Sequence, residues 1–97
     1  MQRYPMYIDG TYTESASGKY FDSYNPFTGD VWAQIAQGNA EDVDRAVRSA
    51  HRAMTEGAWA QLTASQRGLL LHKLGDLVAR DAKHLAETEV RDNGKLI

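Results

Sequence analysis

The hydrophobic period of this chain changes once, near Gly38, and the change divides it into two kinds of structure. Before it, Asp30 to Ala36 alternates, with Val31, Ala33 and Ile35 on one face and Trp32 and Gln34 on the other, the two-residue period of a strand. After it, Val43, Ala46, Val47, Ala50, Ala53 and Met54 recur at i, i+3, i+4 and i+7, one stripe of a helix. Strands followed by helices predict an α+β class, with residues 1–37 as strands and turns and 38–97 as a helical layer.

Within the first part, Met6-Tyr7-Ile8 and Thr11-Tyr12-Thr13 flank Asp9-Gly10. That pair predicts an antiparallel β-hairpin, because a type I′ turn needs positive φ at both central residues. Glu14 to Gly18 is small and polar and reads as a loop. Tyr20 to Tyr24 is rich in residues that suit a pleated surface. Asn25-Pro26-Phe27-Thr28-Gly29 then reads as a turn, with proline fixing φ and glycine supplying left-handed freedom.

Helix signals dominate the second part. Asn39 is placed to cap a helix, with Glu41 and Asp42 in its positive first turn, and Gly57 is a plausible stop. The opposite face of this helix carries Asp44, Arg45, Arg48 and His51. Thr63 to Gln66 has the spacing of a capping box. It is followed by an apolar stripe of Leu70, Leu71, Leu74, Leu77 and Val78. The phase breaks around Arg80-Asp81, so Ala82, Leu85, Ala86 and Val90 belong to a third short helix or a bent continuation, ended by Gly94. Two to three amphipathic helices are therefore expected.

Composition removes several classes of function. A net charge of −2 provides no basic field for phosphates, so nucleic acid is not an expected partner. No stretch approaches the ~20 apolar residues of a membrane span. The first six residues lack the apolar run of a signal peptide, so a cytoplasmic protein is expected. The chain has no cysteine, which excludes disulfides, thiolate metal sites and a cysteine nucleophile together.

The remaining candidates for chemistry are weak. His51, His72 and His84 lack the i, i+4 partner of a helical metal site. Glu41, Asp42 and Asp44 read as solvated complements to a helix N-terminus, since nothing around them predicts burial. Glu87 and Glu89 do not face each other on a helix. No glycine-rich phosphate loop occurs, and Asp92-Asn93-Gly94-Lys95 reads as a cap and chain reversal. The tryptophans and tyrosines lack interleaved basic residues and read as strand-face packing. Catalytic, cofactor-binding and metal-ligating residues are thus each expected to be none.

Several blocks nevertheless carry a resemblance. They are Tyr7 to Tyr12, Ser17 to Phe21, Tyr24 to Val31, Glu41 to Val47, Arg67 to Leu71, and Asp92 to Lys95. Their order and spacing resemble the N-terminus of the aldehyde dehydrogenase superfamily. The resemblance implies a several-fold longer enzyme that oxidises an aldehyde to a carboxylic acid with NAD or NADP. In that family a cysteine thiolate adds to the carbonyl, hydride passes to the nicotinamide, and a glutamate activates the water that releases the acid. This segment would then be a peripheral part of the α/β, Rossmann-like cofactor domain, without catalytic groups and with no cofactor of its own.

The segment is expected to play a structural support role and to be inactive alone; the alternative is a truncated paralogue that acts as a binding or assembly module on a full-length homologue. Its implied partners are the remainder of the enzyme or a full-length homologue, with the small aldehyde reached only through a parent expected to be a homo-oligomer. In some relatives a backbone carbonyl near the position of Ser23 or Tyr24 helps hold a monovalent cation, with the other ligands outside the matching stretch. Leu96-Ile97 stands where relatives often have proline. Apolar stripes shaped for absent domains predict an isolated chain of low stability that exposes apolar surface.

Overall fold

The structure is a computed structural model and describes residues 1–96; Ile97 lies outside the described residues. Five strands come first: β1 (Gln2–Tyr4), β2 (Met6–Ile8), β3 (Thr11–Thr13), β4 (Tyr20–Tyr24) and β5 (Val31–Ala36). Three helices follow: α1 (Ala40–Thr55), α2 (Ala64–Arg80) and α3 (Ala82–Asn93), with a 3₁₀ turn at Ala58–Gln61 between the first two. The α+β class read from the sequence is the observed one.

β2 and β3 form the hairpin in the register Met6↔Thr13, Tyr7↔Tyr12 and Ile8↔Thr11. Asp9 (φ 56°) and Gly10 (φ 78°) both occupy the left-handed region that the turn demands. The other sheet has the order β1-β5-β4. β4 runs antiparallel to β5, while β1 runs parallel to it, pairing Gln2↔Ala33 and Tyr4↔Ile35. β1 is an element that sequence alone does not suggest. Arg3 and Pro5 break any apolar alternation there, and a parallel partner 31 residues away leaves no local signal.

The faces of β5 also differ from strict alternation. The register slips at Ser23/Tyr24, so that Ser23 pairs with Ala33 and Tyr24 with Val31. Trp32 is left in the bulge and re-aimed, and it shares a groove with Ile35 instead of opposing it. Ala33, at the centre, is fully buried.

Helix α1 is capped as expected: Asn39 accepts from the Asp42 N–H, and Asp42 answers to the Asn39 N–H. Its sheetward side is Asp42, Ala46 and Ser49, at i, i+4 and i+7. The apolar stripe lies further round, with Val43 and Val47 each 61 % exposed. Thr63 and Gln66 form the second capping box, and Gly94 ends α3 in the left-handed conformation (φ 75°). The break at Asp81 separates α2 from α3.

The assembly is an open slab measuring 47 × 34 × 16 Å. Its radius of gyration is 16.8 Å, against about 13 Å for a compact chain of this length. No described helix is long and apolar enough to cross a membrane.

Candidate functional site

Two of the blocks singled out in the sequence meet in space. The turn at 25–29 is closed by its own groups: the Gly29 N–H donates to the Asn25 carbonyl (2.8 Å) and the Phe27 N–H to Asn25 Oδ1 (2.9 Å). This holds Pro26 against the end of α3, so close that a Cβ added to Gly94 would lie 2.9 Å from Pro26 Cγ. Two residues back along α3, the Ser23 hydroxyl donates to Asp92 Oδ1. The Arg91 guanidinium lies over the Trp32 ring, 5.6 Å from its centroid. Asn25–Asp30 and Asp92–Lys95 are therefore halves of one junction that fastens α3 to β4 and β5.

Beside the junction runs an apolar groove of about 320 Å³ floored by Tyr4, Trp32, Ile35 and Leu85 and edged by Thr88 and Asp92. Tyr4 meets Trp32 edge-on at 5.9 Å. Trp32 Nε1 is buried with no hydrogen-bond partner among the described residues. Glu89, at the rim, is engaged by Lys95 (3.4 Å) and by Asn93 (3.3 Å), while Asp92 accepts only from the Ser23 hydroxyl.

A second cluster ties the hairpin to α1. Asp42 is 3 % exposed and accepts from the Asn39 N–H (2.9 Å), the Ala16 N–H (2.9 Å) and Arg45 Nη2 (3.2 Å). Contrary to the solvated carboxylate expected from sequence, it clamps the loop after the hairpin onto the start of the helix. The signal was present: Asn39-x-x-Asp42 has the same three-residue spacing as Thr63-x-x-Gln66. Further along α1, the Ser49 hydroxyl donates to Asp9 Oδ1 (3.1 Å) and Arg52 pairs with Asp9 at 3.6 Å. These residues line a polar groove of about 330 Å³ with Thr11 and Thr13.

The remaining groups are those of a surface. Asp44 pairs with Arg48 (2.8 Å) and Lys83 with Glu87 (3.8 Å) in exposed i, i+4 ion pairs. His72 Nδ1 lies 4.0 Å from Asp76, also exposed. Hydrogen bonding from Arg80 holds the Asp81 carboxyl below its ordinary value, and the same bond raises Arg80. Tyr20 is raised, chiefly because its hydroxyl donates to Glu14 Oε2 (2.8 Å). Among the described residues no group of three His, Asp or Glu side chains could hold a metal ion. Nor does any glycine-rich turn open a helix toward a groove, and the guanidiniums of the polar groove already serve Asp42 and Asp9.

Residues 12–97 match the model of the aldehyde dehydrogenase family. A dehydrogenase of Acinetobacter baylyi acting on (Z)-2-((N-methylformamido)methylene)-5-hydroxybutyrolactone is 45% identical over 97 residues, covering 100% of this chain and 20% of the relative. Human mitochondrial aldehyde dehydrogenase is 44% identical over 91 residues, 93% of this chain and 18% of its own. Among solved structures, a variant of Bacillus cereus aldehyde dehydrogenase superposes with a TM-score of 0.93 at 39% identity, covering 97% of this chain and 19% of that one. The NAD+ complex of the Bacillus cereus enzyme gives 0.91 at 38% identity, over 95% and 19% respectively. This chain belongs to the aldehyde dehydrogenase family, and it spans about a fifth of the length of the relatives it matches.

Proposed function

We propose that the chain is the N-terminal supporting layer of an NAD(P)-dependent aldehyde dehydrogenase, which oxidises an aldehyde to a carboxylic acid, and that it has no activity by itself. The observation that carries this reading is the superposition at TM-score 0.93 on a fifth of a solved aldehyde dehydrogenase, by a chain without a cysteine. Its groups serve turns, caps and junctions, and such residues act on a distant site by holding the surrounding shell in place. A dinucleotide would be held by residues outside this segment, NAD being favoured over NADP by the bound Bacillus cereus relative. A homo-oligomeric parent and a cytoplasmic setting belong to the proposal. The human relative is mitochondrial by name, so fractionation tests the compartment.

Purified chain mixed with NAD or NADP and an aldehyde should reduce neither cofactor. Sustained turnover by clean protein would overturn the reading. Joined in one polypeptide to the uncovered four-fifths of the Bacillus cereus enzyme, the same chain should yield an active dehydrogenase.

A further inference from the structure

We infer that the open faces of α1 and α2 are a docking surface for the rest of an aldehyde dehydrogenase chain, and that this segment can occupy its place there as a separate polypeptide. The inference rests on the reading above and adds that no covalent link is needed. The accessible surface is 7597 Å², against about 5,500 Å² for a compact monomer of this mass, an excess of roughly 2,000 Å². One partner of an interface of standard size contributes about 800 Å². The uncovered surface is thus of the extent found in obligate contacts, and its residues are those of a core. On α2, Leu70, Leu74 and Leu77 are 40–55 % exposed, and on α1 Val43 and Val47 are each 61 % exposed.

The occupant is identified by the superpositions. α2 reaches the rest of the segment mainly through α3 and the bond from Arg67 to the Trp59 carbonyl (3.1 Å). Yet the segment matches its counterpart inside a fivefold longer chain at TM-score 0.93. A helix with so little behind it holds a position that the other four-fifths of that chain would fill. Meanwhile each local element is closed by its own residues: two capping boxes, the left-handed turn of the hairpin and the Asp42 clamp. Such a segment is organised before it meets its partner, which lowers the ordering entropy of association.

The test co-expresses this chain with the uncovered four-fifths of Bacillus cereus aldehyde dehydrogenase, alongside the two parts joined as one polypeptide. The expected result is a soluble one-to-one complex that reduces NAD with an aldehyde. A Leu70→Glu, Leu74→Glu double variant should weaken that complex at least about a hundredfold, about tenfold or more for each leucine whose burial is lost. Glutamate is a good helix former, so helicity by circular dichroism should be kept. An active joined polypeptide with no complex from the separate parts would overturn the inference and leave the function standing. An inactive joined polypeptide would remove both. Self-association of this chain through the same leucines, with no binding to the larger part, would make a second copy the occupant and also overturn it.

Discussion

Replacing Asp42 by alanine tests whether one buried carboxylate joins the two parts of the segment. The substitution strips an acceptor from two backbone N–H groups, of Asn39 and Ala16, and from Arg45. Arg45 is half exposed and recovers water, so little is charged to it. Each backbone donor left short of a partner costs about 1–2 kcal/mol, giving about 2–4 kcal/mol in all. Loss of one arm of the capping box is already contained in the Asn39 share. Alanine gains several tenths of a kcal/mol in helix propensity, and Asp44→Ala supplies the matched control for that gain. Asp44 is exposed and paired only with Arg48, so its removal should cost about 0–1 kcal/mol. Urea denaturation followed by circular dichroism measures both. Because a chain of this kind has few kcal/mol to lose, Asp42→Ala should shift the midpoint sharply or abolish the transition. Equal midpoints for the two variants would refute the clamp.

Three other outcomes follow from named contacts. Gly94→Ala and Gly29→Ala both place a side chain at positive φ, 75° and 78°, but only Gly94 faces Pro26. Gly94→Ala should therefore lose more, by about 1 kcal/mol or above, and equal losses in denaturation would remove the Pro26 contact from the account. Asp81 should titrate below its ordinary 3.8 by NMR and return toward it in Arg80→Ala. Since the folded value is depressed, its contribution is present above 3.8 and lost as pH falls through the lower folded value. Tyr20 behaves oppositely: its folded value is raised, so its contribution is whole below 10.0 and lost as pH rises through the folded value. Glu14→Gln should bring the Tyr20 titration down, and an unmoved midpoint would disconnect the pair.

Local chemistry was legible and distant pairing was not. Asp9-Gly10, Asn39, Thr63 to Gln66 and Gly94 each specify a backbone conformation through their own side chains or lack of one, and each forms the predicted turn or cap. β1 was invisible because its partner is remote and parallel. Trp32 changed face because a bulge depends on the register with β4, which alternation within β5 cannot report. At the junction, Ser23 and Asp92 lie 69 residues apart, and nothing in either block announces the other. The α1 stripe is apolar, as its sequence says, while the face that meets the hairpin is the one at Asp42 and Ser49. A hydrophobic stripe marks where burial is needed, and here the segment supplies little with which to bury it.

The parallel pairing of β1 with β5 also sets an order of events during synthesis. β1 leaves the ribosome ahead of its partner, which is made 31 residues later, and in the interval its backbone groups are satisfied only by water. Hairpin β2–β3, whose turn is two residues long, can close at once. The outer strand β1 of the larger sheet is thus made before β4 and β5 and secured only once β5 is in place.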